Sequence, residues 1–235
     1  MIFSLFCCKI SKISLSVISN PETPRVKWYE DGKRRSIGGV QTFLAEETTR
    51  ARLFLTPKGL YRYDQDDKFR NLLGVWVTKQ ASSKVSTTDV ANETGLKTIR
   101  SSRSNEGGWS MRFASVFKTQ DETDVVVKSF DYRPRLASIQ FDAMTYIANR
   151  LNLIEAEPEI KAPFQYGLVL PRRDTPAVFM EEVPGEKEEI VEPEVRDIIF
   201  DRLGVFGGML TNDFANYNLI VDRPQSGAST HYLID

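Results

Sequence analysis

Between Trp76 and Trp109 the chain carries no aromatic residue, and over 80–106 it is dominated by Ser, Thr, Asn, Lys and Asp. A stretch of that composition cannot bury enough apolar surface to offset the entropy of ordering it. It predicts a linker or long mobile loop. The chain is thereby divided into an N-terminal β-rich region over 1–79, a linker over 80–106 and a second domain over 107–235. The full 235 residues suffice for one large domain or two small ones with a real core. Hydrophobic residues make up 41% and charged residues 27%, which argues against collagen, global disorder and a coiled coil. With 31 Lys+Arg against 32 Asp+Glu, a net charge of −1 offers no electrostatic ground for nucleic-acid binding. The two cysteines, Cys7 and Cys8, are adjacent, a spacing that rarely satisfies disulfide geometry. One His and two Cys also fall short of the three or four N/S ligands of a usual zinc site.

The amino terminus, Met1 to Cys8, reads MIFSLFCC and is followed by Lys9 and Lys12. It is much shorter than the roughly 20 apolar residues of a membrane-spanning helix. Its positive charge follows the apolar run, the reverse of a secretory signal. A weak anchor acylated at Cys7 or Cys8 is one reading; a first strand or loose tail is the other, and Ile13 to Val17 does alternate with period two. The expectation is a cytoplasmic protein without a membrane span.

Residues 24–79 read as β-rich. Val26 to Tyr29 precedes the turn signal Glu30-Asp31-Gly32-Lys33, a hairpin pattern. Arg52 to Leu55 and Leu60 to Tyr63 flank Pro57-Lys58-Gly59 and suggest a second hairpin, with Leu73 to Val77 a third apolar run. From Trp109 onward, Met111 to Lys118 alternates as a strand, and Val125 to Phe130 is strongly β-forming. Leu136 to Leu151 predicts a helix with Leu136, Ile139, Ala143, Ile147 and Leu151 in one stripe. Phe164 to Leu170 and Ala177 to Met180 predict strands, and Val195 to Leu210 a second helix. Leu219 to Val221 and Tyr232 to Ile234 form a short strand pair.

The order is therefore strand, strand with a terminal Lys, helix, strand, strand, helix, then Asp213-x-x-x-x-Asn218, and a hairpin ending in Asp235. In that order the segment 107–235 resembles the protein-kinase-like superfamily, shared by protein kinases and small-molecule phosphotransferases. The resemblance implies an α+β fold: a kinase-like N-lobe sheet plus helix and the start of a C-lobe, with an appended N-terminal β-rich region. It also implies an activity, transfer of the γ-phosphate of ATP to a hydroxyl of a protein or small molecule, with Mg2+. Asp213 corresponds to the catalytic base, and Asn218 and Asp235 to the magnesium ligands. Val125-Val126-Val127-Lys128 resembles the family's V-A-I-K strand, and makes Lys128 the phosphate ligand. Ala177 to Gly185 resembles the strand and hinge that cradle adenine, with Met180 bordering the pocket and the backbone near Glu181 and Val183 bonding the base.

Several positions depart from the pattern. Gly107 and Gly108 cluster at the start of the expected phosphate loop, and Ala114 stands where its last glycine would be. No Glu occurs between Lys128 and Glu155 to pair with the lysine. Gln140 takes the inward position on the predicted helix, while Asp142 lies more than 100° away from the stripe's centre at the helical period. Thr211-Asn212 replaces the His-Arg before the catalytic Asp, and Ala215 the Lys that Ser/Thr kinases place two residues after it. The chain stops at Asp235, so a fragment or truncated reading frame is expected, with a short degenerate family member as the alternative. Two alternatives stand beside the enzyme: a pseudokinase or interaction module on the same scaffold, and an unrelated α+β interaction protein with no cleft between Lys128 and Asp235. The acceptor, the oligomeric state and the role of 1–106 are not legible in these residues. The five Glu within 186–194 read as a solvated connection, and His231 as structural.

Overall fold

The computed structural model describes residues 29–30, 33–34, 40–49, 51–79, 98–102, 111–118, 124–130, 134–171, 176–187, 192–205, 219–225 and 227–234. The strands, in chain order, are β1 (Tyr29–Glu30), β2 (Lys33–Arg34), β3 (Phe43–Glu47), β4 (Ala51–Leu55), β5 (Thr98–Ser102), β6 (Met111–Lys118), β7 (Asp124–Phe130), β8 (Glu159–Lys161), β9 (Gln165–Pro171), β10 (Ala177–Glu181), β11 (Glu186–Lys187), β12 (Leu219–Asp222) and β13 (Thr230–Leu233). The helices are α1 (Pro57–Gln65), α2 (Asp67–Lys79), α3 (Pro134–Leu151) and α4 (Pro193–Val205). A seven-stranded sheet has the order β3-β4-β9-β10-β7-β6-β5, antiparallel throughout. A four-stranded sheet has the order β11-β12-β13-β8, in which only β13 and β8 run parallel. The chain is a mixed α+β protein. Its first predicted hairpin is present as β1 and β2, paired Tyr29↔Arg34 and Glu30↔Lys33.

The reading of 24–79 as β-rich is corrected beyond Leu55. Pro57-Lys58-Gly59 is not a turn between strands but the first turn of α1. Thr56 is its N-cap: its Oγ1 accepts a hydrogen bond from the Gly59 N–H at 3.0 Å, and Pro57 stands where a helix has no use for an N–H. Asp66 starts α2 in the same way, its Oδ1 accepting from the N–H groups of Lys68 and Phe69, both at 3.0 Å. Two caps in succession override the short strand-like runs Leu60 to Tyr63 and Leu73 to Val77. Gly59 has a separate reason to be glycine. A Cβ there would lie 1.9 Å from the Tyr166 carbonyl oxygen, so α1 meets β9 backbone to backbone.

The linker reading is corrected in part as well. Thr98–Ser102 lies inside 80–106 and is an edge strand paired with β6, Thr98↔Phe117 through Ser102↔Ala114. An edge strand needs main-chain partners on one side only, and the absence of aromatics does not prevent that pairing. The N-terminal strands are also not a separate sheet. Leu53 pairs with Val169 and Leu55 with Gly167, so β3 and β4 extend the sheet that β6, β7, β9 and β10 form.

Directly opposed residues share a face of an antiparallel pair, and successive residues alternate. On one face Leu53, Leu55, Val125, Val127, Val169 and Phe179 pack against Phe69, Leu72, Leu73, Trp76 and Val77 of α2. Trp76 meets Phe179 edge-to-face with centroids 5.9 Å apart, and Phe69 meets Tyr166 at 5.5 Å. On the other face Leu168 and Val178 pack against Ala137 and Phe141 of α3. The second half of α3 belongs to a third cluster, with Met144, Ile147, Ala148 and Leu151 against Ile199 and Leu203 of α4 and Leu219, Val221 and Leu233 of the four-stranded sheet.

That division corrects the predicted inward stripe of α3. Ile139 is 37% exposed, whereas Asp142 is only 1% exposed. The residues that serve these two cores lie on a face about 100° round the helix from the predicted stripe. The buried row runs Ala137, Phe141, Met144, Ala148, Leu151, and Asp142 is buried although it lies well off that row.

Candidate functional site

Lys128 stands near the C-terminal end of β7, opposite Val178 of β10 and Ala114 of β6. Its pairing with Val178 puts it on the α3 side of the sheet. It is only 7% exposed, a rare state for a lysine. Its Nζ donates a hydrogen bond of 2.6 Å to the main-chain carbonyl of Ile234, 106 positions away. This bond links the end of β7 to the residue that follows β13, and so joins the two sheets. Charge buried in low dielectric is costly unless a polar group faces it. Here a carbonyl oxygen does so, from the residue immediately before Asp235.

The segment leaving β10 runs along the boundary between the sheets. Met180 is buried opposite Val126, on the Lys128 side of the sheet. Glu181 ends the strand. Its N–H donates to the Phe164 carbonyl at 2.9 Å, and its Oε2 accepts from the Phe164 N–H at 3.2 Å. Val183 is buried. Gly185 then turns the chain at φ +102°, where a Cβ would sit 2.4 Å from the Val221 carbonyl oxygen. Both the positive φ and the close approach demand glycine. Glu186 pairs with Val221 and Lys187 with Ile220, so the chain passes from one sheet to the other within six residues, Glu181 to Glu186.

Gln140, the inward residue expected beside Lys128, is half-buried on α3; the fully buried polar residue there is Asp142, one turn after the buried Ser138. Asp142 was legible as the only acid in α3, but the predicted register turned it away from the core. Asp213, Asn218 and Asp235 lie outside the described residues, as does the glycine pair Gly107-Gly108. Among the described residues no group of three or more His, Cys, Asp or Glu side chains could hold a metal ion, and no helix is long and apolar enough to cross a membrane.

Electrostatics around the segment are local. Lys58 Nζ lies 4.0 Å from Glu181 Oε1 and 3.2 Å from the centroid of the Phe164 ring. Burial pushes the Lys58 ammonium below its ordinary range, Glu181 counteracts this, and Arg62 adds to the lowering. On the four-stranded sheet, hydrogen bonds from Lys161 and then Thr230 hold the Glu159 carboxyl below its usual range. Burial raises the Tyr232 phenol. Nothing in the sequence flagged Lys58, because its position depends on α1, which the residue pattern concealed.

No family model matches the sequence, and no curated protein matches it.

Proposed function

We propose that this chain is an ATP-dependent phosphotransferase of the protein-kinase-like superfamily, acting on a hydroxyl of a protein or small molecule. The observation that supports this reading most is the 2.6 Å bond from Lys128 Nζ to the Ile234 carbonyl. The family's chemistry requires a strand-end lysine and the metal-binding Asp after a distant apolar strand to serve one site. Lys128 and Ile234 meet, with Asp235 the next residue in the chain. The position suits a nucleotide phosphate: a buried cation at a strand end, bonded to the main chain just after β13. Lys128 would hold phosphate oxygens. Met180 would border the base, with the main chain of Glu181 and Val183 as its hydrogen-bonding edge. Asn218 and Asp235 would hold Mg2+, which supplies neutralisation of charge on the phosphates when bound. Asp213 would accept the proton of the acceptor hydroxyl as its oxygen attacks the γ-phosphorus and ADP leaves.

The test is a thermal-shift titration with ATP, with and without magnesium, on the wild type and on Asp235→Asn. A ligand that binds only the folded state stabilises it by about 2.7 kcal/mol at a hundred times its Kd. The expected result is a magnesium-dependent rise in Tm that Asp235→Asn abolishes. A rise indifferent to magnesium and to Asp235 assigns the scaffold reading instead, and no rise in a folded sample removes the nucleotide site altogether. If binding holds, Asp213→Ala lowers phosphoryl transfer by about 10²–10⁴-fold; equal rates overturn the role of Asp213.

A further inference from the structure

The strand-to-strand passage at Glu181 is held from behind by a residue of the N-terminal helical layer. Lys58 is the second residue of α1, and three contacts fix where that helix begins. The Thr56 N–H donates to the Tyr166 carbonyl at 3.0 Å, its Oγ1 donates to the Gln165 carbonyl at 2.7 Å, and Gly59 lies against the Tyr166 carbonyl. The first turn of α1 is therefore fastened to the start of β9. Phe164 lies one residue before β9, and Glu181 clips it with both its N–H and its carboxylate.

Three effects disfavour a cation at position 58. It stands at a helix N-terminus, where the macrodipole repels positive charge. Burial penalises its charge although the side chain keeps 46% exposure, and Arg62 is one turn away. Two contacts offset them: the Phe164 ring, 3.2 Å below the ammonium, and the Glu181 carboxylate at 4.0 Å. One ammonium thus touches both residues of the clip. By strand alternation Glu181 lies on the α1–α2 side of the sheet, and Met180 on the Lys128 side. The clip grips the passage without entering the face that carries Lys128.

We propose that Lys58 is a positioning residue that fixes the segment 181–183 from the back of the sheet, so that the α1–α2 layer sets the affinity of that segment for a nucleotide. The consequence for affinity rests on the reading of 181–183 as the base-binding edge; the fixing itself does not.

The experiment compares the full chain as wild type, Lys58→Met and Lys58→Arg, each checked for an unchanged Tm. Amide hydrogen exchange at Glu181 is followed without nucleotide, and ATP affinity is measured with magnesium. Met keeps the stem without the charge; Arg keeps the charge and its stacking on Phe164. The expected result is faster exchange at Glu181 and about fivefold weaker ATP binding in Lys58→Met, with Lys58→Arg close to wild type in both. Exchange at Glu181 indistinguishable between wild type and Lys58→Met overturns the positioning role. Faster exchange with undiminished ATP affinity overturns the control of affinity. A wild type that binds no ATP, yet shows the exchange difference, sinks the phosphotransferase reading and leaves the fixing of 181–183 standing.

Discussion

The two faces of the seven-stranded sheet differ in the size of their apolar cores and in what lies beside them. The face toward α2 is apolar between helix and strands: Trp76, Phe69, Leu72 and Leu73 lie against Leu53, Leu55, Val127 and Phe179. This side buries polar groups as well: the cap Thr56, and Arg62, which pairs with Asp66 at 3.6 Å and lies 4.9 Å from both the Phe69 and the Tyr166 ring. The face toward α3 has a small apolar cluster and a buried lysine, and α3 itself buries Ser138, Asp142 and Thr145. Burying polar groups costs stability that apolar residues of similar volume would not. Both faces carry such groups, but the one toward α3 also holds a lysine bonded to the neighbouring sheet.

The sharpest way to break that contrast is to damage the face toward α2. Phe179→Ala removes a fully buried ring and its edge-to-face contact with Trp76. Chemical denaturation should show a loss of about 4 kcal/mol. A loss under about 1 kcal/mol would mean that this face is not the stabilising one.

Lys128→Met tests the other side. The substitution keeps the volume, gives up the 2.6 Å bond to Ile234 and removes a buried charge. These effects oppose one another, so stability should change by only about 1 kcal/mol. Phosphoryl transfer should fall by about 10²-fold or more. A large loss of stability with transfer unchanged would make Lys128 a structural residue and erase the distinction between the faces.

The smallest effect is expected at the margin of the face toward α2. Tyr63 donates its hydroxyl to Glu46, and burial and that carboxylate push its pKa up to about 12. The folded state therefore favours the protonated phenol. Its contribution is complete below about pH 10, the unfolded value, and is lost as pH rises toward 12. Tyr63→Phe should cost about 1 kcal/mol at neutral pH and flatten the decline in stability above pH 10. A steep alkaline decline that survives the substitution would assign it to other groups.

The bounds of the strands Met111–Lys118 and Gln165–Pro171 and of the helix Pro134–Leu151 are readable from the sequence to within a residue or two. Residues 57–79 were misread because cap chemistry decides there. Thr56 and Asp66 each satisfy N–H groups that begin a helix, and such local hydrogen bonds leave no trace in an apolar count. Thr98–Ser102 was passed over because an edge strand is held by its main chain. On α3 the composition named Asp142, but the apolar periodicity gave no sign that it is buried. The site divides likewise. Lys128 was legible as a strand-end lysine, while its bond to Ile234 is a contact between distant residues that only the folded chain forms. Lys58 was not legible at all, since it reaches Glu181 only when α1 exists.

One feature of α3 reaches beyond geometry. Ala137 and Phe141 lie in the core of the larger sheet, while Met144, Ile147, Ala148 and Leu151 lie in that of the smaller. An uninterrupted helix cannot fray away from one partner without weakening its grip on the other, since its hydrogen-bond ladder is continuous and helix formation is cooperative. The free energy of each sheet is thereby coupled to that of its neighbour. The two sheets should therefore melt as a single cooperative unit, with a lesion in either core lowering the stability of both.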